Sequence, residues 1–183
     1  MKHSLLLAAV AMIGVAASAP ASADLVNDCY QATLVQTDNN DQIIAICTRA
    51  IGSGIKGKTL AIARNNRGIG HMQKGALDLA MADFDAAIRA DPEYTYAYDN
   101  RGVVWHERGQ YDLAILDYNT AIRLDPSFLS AYLGRASAFE KMGNRQSARA
   151  DYGFVLNAQG KGRAIDDWAK KRARERLDRL GND

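Results

Sequence analysis

The chain has few of the residues that do chemistry. Of its 183 residues only three are histidine, two are cysteine and three are proline. Two cysteines cannot build a four-cysteine zinc site, and Cys29 and Cys47 stand too far apart for a Cys-x-x-Cys redox pair. His106-Glu107 has no second histidine at the spacing a zinc-binding helix needs. His71 and His106 fall on different predicted helices, and Ser127, Ser130, Ser137 and Ser147 have no glycine elbow around them. No enzyme, metal or cofactor is expected. Charge of one sign is also lacking. With 23 basic and 21 acidic residues, the net charge of +2 gives no push toward nucleic acid. The stretch from Lys161 to Arg179 is locally basic, but Asp166, Asp167, Glu175 and Asp178 interrupt it, as on a solvated helix face. Long apolar runs are scarce as well. Leu5 to Ala17 is short of the roughly 20 residues that cross a bilayer comfortably.

That run has another reading. Lys2 and His3 precede it, and Ala21-Ser22-Ala23 follows with small residues at both recognition positions of a signal-peptidase site. Residues 1–23 read as a cleavable export signal, with an uncleaved anchor as the competing reading. Val26-Asn27-Asp28 before Cys29 does not suit lipid attachment. Cleavage would leave residues 24–183 with one basic residue fewer, a net charge of +1 and a size that suits one domain. In an exported chain, an even pair of cysteines points to a structural disulfide between Cys29 and Cys47, with free buried thiols as the alternative. A closed loop of this size contributes on the order of 3 kcal/mol.

What the chain has in quantity is repetition. Asn66-Arg67-Gly68 returns as Asn100-Arg101-Gly102 and, more weakly, as Gly134-Arg135-Ala136. The same step links Gly75, Gly109 and Gly143, then Ala80, Ala114 and Ala148. It links Phe84, Tyr118 and Tyr152, and the pairs Asp91-Pro92 and Asp125-Pro126. A step of this length means stacked helical units rather than one closed core.

These residues resemble the tetratricopeptide repeat, a helix-turn-helix unit. Framed as 61–94, 95–128 and 129–162, three units put small residues at Gly68, Gly102 and Ala136, where the two helices of a unit cross closely. Glycine after each first helix suits a left-handed stop. Asp-Pro is expected to end each second helix and to open the next one. Val155 and Gly160 depart from the pattern and leave the end of the third unit to fray or repack. Residues 24–57 read as a degenerate helix pair, joined through a connector three residues longer than the others. Residues 163–183 read as a capping helix whose Ile165, Trp168, Ala169, Ala173, Leu177 and Leu180 share one face, with a partner-seeking amphipathic helix as the alternative. The expected fold is all-α: a right-handed α-solenoid of antiparallel helix pairs with a C-terminal cap.

Arg67, Arg101 and Arg135 stand where the family more often has leucine, each followed by an aspartate at Asp83, Asp117 and Asp151. The degenerate pair lacks both, holding Tyr30 and Ile46 instead. Joint presence and absence predicts a charge pair between the two helices of each unit. Gly52-Ser53-Gly54-Ile55-Lys56-Gly57-Lys58-Thr59 matches the nucleotide-binding pattern G-x-x-x-x-G-K-[ST]. That loop needs a strand before it, whereas Ile43 to Ile51 is helical in period, so a glycine-rich connector is expected.

The resemblance implies a partner-binding concave face built from the first helices. It maps to Asn65, Asn66, Ile69, Met72 and Gln73 in the first unit. The second contributes Tyr96, Asp99, Asn100, Val103, His106 and Glu107, and the third Ser130, Leu133, Ser137, Glu140 and Lys141. Asn66 and Asn100 could donate to and accept from a peptide backbone; bonding to a neighbouring unit is the other reading. Relatives that grip a C-terminal carboxylate use basic residues where this chain has Asn65, Ile69, Ser130 and Leu133, so that grip is not expected. The expected function is a non-enzymatic adaptor in the bacterial envelope, periplasmic or secreted, whose partner is a protein or peptide. Self-association as a homo-oligomer, and an accessory role to an envelope enzyme, are the alternatives.

Overall fold

The computed structural model describes residues 22–34, 40–158 and 164–181. The export signal expected over residues 1–23 lies almost wholly outside them, as does Gly160. Among the described residues all regular structure is helical: α1 (Ser22–Leu34), α2 (Asn40–Gly52), α3 (Gly57–Gln73), α4 (Leu77–Ala90), α5 (Thr95–Glu107), α6 (Tyr111–Leu124), α7 (Leu129–Lys141), α8 (Arg145–Asn157) and α9 (Ala164–Gly181). Each helix packs on its chain neighbours, and α1, α3, α5, α7 and α9 also pack each on the next of that set. Among the described residues no helix meets a partner further along the chain. This is the contact pattern of a solenoid. No described helix is long and apolar enough to cross a membrane.

The turns follow from their residues. Gly75, Gly109 and Gly143 have φ of 74°, 73° and 76°, a left-handed backbone that costs glycine nothing. The next amide reaches back to the first helix in each case, Ala76 to His71, Gln110 to Trp105 and Asn144 to Phe139. The Asp-Pro pairs differ from expectation. Pro92 and Pro126 lie in the turn and do not open α5 or α7. The reason is the aspartate, whose carboxylate accepts from the amide two residues on, Asp91 from Glu93 at 3.1 Å and Asp125 from Ser127 at 2.9 Å. The expected glycine connector joins helix to helix across Ser53–Lys56, with no strand before it.

Packing explains the small residues. A methyl group on Gly68 would come within 2.6 Å of the Phe84 ring, and one on Gly102 within 2.8 Å of the Tyr118 ring. Gly134 has the same relation to Tyr118 at 2.6 Å, so that ring is gripped between units. Phe84, Tyr118 and Tyr152 are fully buried. Val155 does not fray: it is buried with Ala169 and Ala173 of α9, which packs as a cap. Trp168, expected on that packing face, is instead 53% exposed. At the other end Cys29 and Cys47 form a disulfide among buried Ile43, Ala50 and Ala63.

All three predicted charge pairs are present and two-pronged. Arg67 reaches Asp83 at 2.8 and 2.7 Å, and Arg101–Asp117 and Arg135–Asp151 repeat those distances. Each aspartate is nearly buried and each guanidinium mostly so. Burial opposes the charge on Arg101 and Arg135, but hydrogen bonds to the carboxylates win and hold both guanidinium pKa values above their ordinary range. The sequence did not reveal the third bond. The remaining nitrogen of each arginine reaches the second helix of the preceding unit, at Thr48 (3.1 Å), Asp85 (2.7 Å) and Asn119 (2.5 Å). Every arginine therefore ties its own helix pair together and fastens it to the unit before.

Candidate functional site

The odd-numbered helices form one continuous row, along which the residues mapped to the concave face lie. Polar side chains run along it. Asn65 Nδ2 donates to Asn66 Oδ1 at 3.3 Å, and Asn100 Nδ2 donates to Asn65 Oδ1 at 2.8 Å. Asn100 thus bonds to the neighbouring unit. Asn66 is only 4% exposed, and its own Nδ2 has no partner. Ile69 and Met72 pack half-buried against the cluster of Phe84 and Val104, while Gln73 is exposed at the helix end. Tyr96 stands 49% exposed, its ring edge-on to Phe128 at 5.0 Å.

Further along, Asp99 is 7% exposed. Its Oδ2 accepts from Ser130 at 2.9 Å, and its Oδ1 is buried without a partner. Burial disfavours the charged form and pushes the carboxyl up to about 7, against a smaller opposing effect from Ser130. His106 Nε2 lies 3.1 Å from Ser137 Oγ. Burial lowers its pKa, so the ring is neutral at physiological pH.

A pocket of about 230 Å³ opens between α5, α7 and α9. Asp99 and Val103 line it from α5, Leu133 and Ser137 from α7, and the Tyr118 and Tyr152 rings from α6 and α8. The cap supplies Trp168, Arg172 and Arg176. Arg176 pairs with Glu140 at 3.1 Å, and Glu140 accepts from the Tyr152 hydroxyl at 2.8 Å. Arg172 pairs with Glu175 on its own helix at 3.5 Å. Of the residues mapped to the concave face, Asp99, Val103, Ser130, Leu133 and Ser137 converge here, while Asn66, Ile69, Gln73 and Tyr96 do not line the pocket. Sequence reasoning missed the contribution of α9. That helix packs on α7 and α8 as α7 packs on α5 and α6. It fills the place of a first helix in a fourth unit, which turns Trp168 toward the groove.

Comparison with known proteins bears on the same elements. A family model for the TPR repeat matches residues 104–143. No curated protein matches the chain. The crystal structure of MamA superposes with a TM-score of 0.61 at 19% identity, covering 88% of this chain and 75% of that one. The second TPR of Spaghetti (RPAP3), bound to the HSP90 peptide SRMEEVD, gives 0.53 at 29% identity over 54% of this chain and 92% of that one. The second TPR domain of human RPAP3, in complex with the HSP70 peptide SGPTIEEVD, gives 0.53 at 25% over 63% and 95%. The matched segment and the shared array of helix pairs together support the tetratricopeptide repeat family for this chain.

Proposed function

We propose that this chain is an adaptor that binds a protein or peptide along the row of first helices and works in the bacterial cell envelope. One observation carries the binding: Asn66 Nδ2 and Asp99 Oδ1 are a buried donor and a buried acceptor without partners, on α3 and α5 of that row. An unmet buried polar atom costs about 1–3 kcal/mol, a cost that an extended partner offering a carbonyl and a donor group would remove. Structural neighbours solved with peptides bound fit that reading. Their acidic peptides do not transfer directly, because the basic residues of a carboxylate grip are absent at Asn65, Ile69, Ser130 and Leu133. The envelope assignment rests on the signal pattern of residues 1–23. A fusion of those residues to alkaline phosphatase, which is active only outside the cytoplasm, tests it.

Capture from an envelope extract tests the binding. The parent chain is compared with Tyr96→Ala and Val103→Glu, and with Leu116→Ala as a control outside the groove. Loss of the same proteins from both groove variants, with retention by the control, supports the reading. Undiminished capture by the groove variants refutes it. A second reading, self-association, draws on exposed Leu79, Leu113 and Leu116 on the second helices. A concentration-dependent rise in mass by light scattering, abolished by Leu113→Ser, would favour it.

A further inference from the structure

The pocket beneath α9 is a built recess with a specific chemical bias. Its walls are largely apolar: Val103, Leu133 and the faces of Tyr118 and Tyr152, with Trp168 at the cap. Into this surface the fold sets one acid, Asp99, more than nine-tenths buried, with one oxygen satisfied by Ser130 and the other unmatched. The charged groups nearby are already matched. Arg176 is held by Glu140 at 3.1 Å, and the half-exposed Arg172 pairs loosely with Glu175 at 3.5 Å on its own helix. Asp117, the residue before Tyr118 on α6, is taken by Arg101. Asp99 is therefore the pocket acid left without a cation.

We infer that this pocket receives a lysine or arginine side chain of the bound partner, its stem lying on Val103, Leu133 and the tyrosine rings and its cation reaching Asp99. Long basic side chains suit the recess because they combine an apolar stem with a charged tip. An acceptor withdrawn from water gains most from a charged donor, since hydrogen bonds to ionised groups are roughly twice as strong as neutral ones. The recess also has room, because 230 Å³ exceeds what one such side chain fills. A carboxylate ligand would meet Asp99 as a like charge, and a purely apolar one would leave the Oδ1 atom unmet. The ordering of affinity should run basic, then apolar, then acidic. The inference rests on the groove reading above and names the chemistry that the groove selects at one position.

The test uses isotope-labelled full chain and four capped amino acids as probes: the N-acetyl methylamides of lysine, arginine, norleucine and glutamate. Amide and Trp168 indole resonances are followed by NMR at about pH 8, where Asp99 is ionised. The lysine or arginine probe should move resonances of Asp99, Ser130, Leu133 and Trp168 saturably, about tenfold more tightly than norleucine. In Asp99→Asn, which keeps size and the Ser130 bond, that preference should vanish while norleucine binding persists. Circular dichroism confirms that the variant is folded. Equal binding of norleucine and lysine by the parent, tighter binding of glutamate, or a lysine preference that survives Asp99→Asn would each overturn the inference. So would the absence of any pocket shift with all four probes. In each of these cases the capture experiment can still succeed, so failure of the pocket chemistry is separable from failure of the groove reading.

Discussion

Asp99→Asn should gain stability relative to the parent chain as pH rises. Folding moves this carboxyl from an ordinary 3.8 to about 7, with burial as the main cause. The folded chain therefore holds a proton that the unfolded chain releases between about pH 4 and pH 7. Where the folded state binds more protons, stability falls as pH rises. At about 1.4 kcal/mol for each tenfold change in proton affinity, the loss between pH 5 and pH 8 comes to about 2–3 kcal/mol. Asparagine does not titrate. The difference in unfolding free energy between variant and parent should therefore grow by about 2–3 kcal/mol over that interval, or about 5–10 °C in melting temperature for a domain of this size. The absolute offset is set by the asparagine amide, whose own unmet group costs about 1–3 kcal/mol, so the pH trend is the diagnostic quantity. Urea unfolding of both chains at pH 5, 6, 7 and 8 measures it. A difference that stays flat across the series would show that Asp99 is solvated and ordinary, and the reasoning about its burial would fall. Carbon NMR of the Asp99 carboxyl gives the titration midpoint directly.

Four further outcomes are expected. Arg101→Leu should lower stability by about 3 kcal/mol, because it leaves the nearly buried Asp117 carboxylate without its cation, and Asp117→Asn should cost less, because Arg101 keeps Asp85; a double-mutant cycle by urea unfolding should show strong coupling, and unmoved melting temperatures would dismiss the pair. Gly102→Ala should destabilise by about 1–2 kcal/mol despite the better helix propensity of alanine, since its methyl meets the buried Tyr118 ring at 2.8 Å. Gly153→Ala in α8, with open space around it, should stabilise by about 1 kcal/mol in the same thermal assay. Reduction of the Cys29–Cys47 bond should cost about 3 kcal/mol, and hydrogen exchange should rise in α1 and α2 well before α5 to α8, because an array transmits such losses only to neighbours.

The repeat step made the fold legible: three residues at Gly75, Gly109 and Gly143 were enough to place the turns, and the arginine–aspartate pairs followed from their joint absence at Tyr30 and Ile46. What the step could not show was contact between units. Thr48, Asp85 and Asn119 differ in type, so they do not advertise themselves as equivalent, although Asp85 and Asn119 obey the same spacing and Thr48 obeys it once the longer connector is counted. The groove was legible in outline only. Family positions located Asp99, Val103 and Ser137, but not that Asn100 is engaged by Asn65, which depends on how closely two units approach. Trp168 was misplaced because helical periodicity identifies an apolar face without saying which neighbour it meets. Ala169, Ala173, Leu177 and Leu180 make the packing face against α7 and α8, and the indole is left for the groove.

The three-way bonding of the arginines makes the units 61–94 and 95–128 chemically complete on both sides. Each brings one guanidinium facing backward and, on its second helix, one oxygen acceptor facing forward, whereas the third unit has Gly153 at that place. A second copy of residues 95–128 spliced after the first would find Asn119 waiting for its arginine, and would offer its own asparagine to Arg135. The array can therefore be lengthened by whole modules without inventing a new joint, which makes its reach and curvature adjustable by simple duplication.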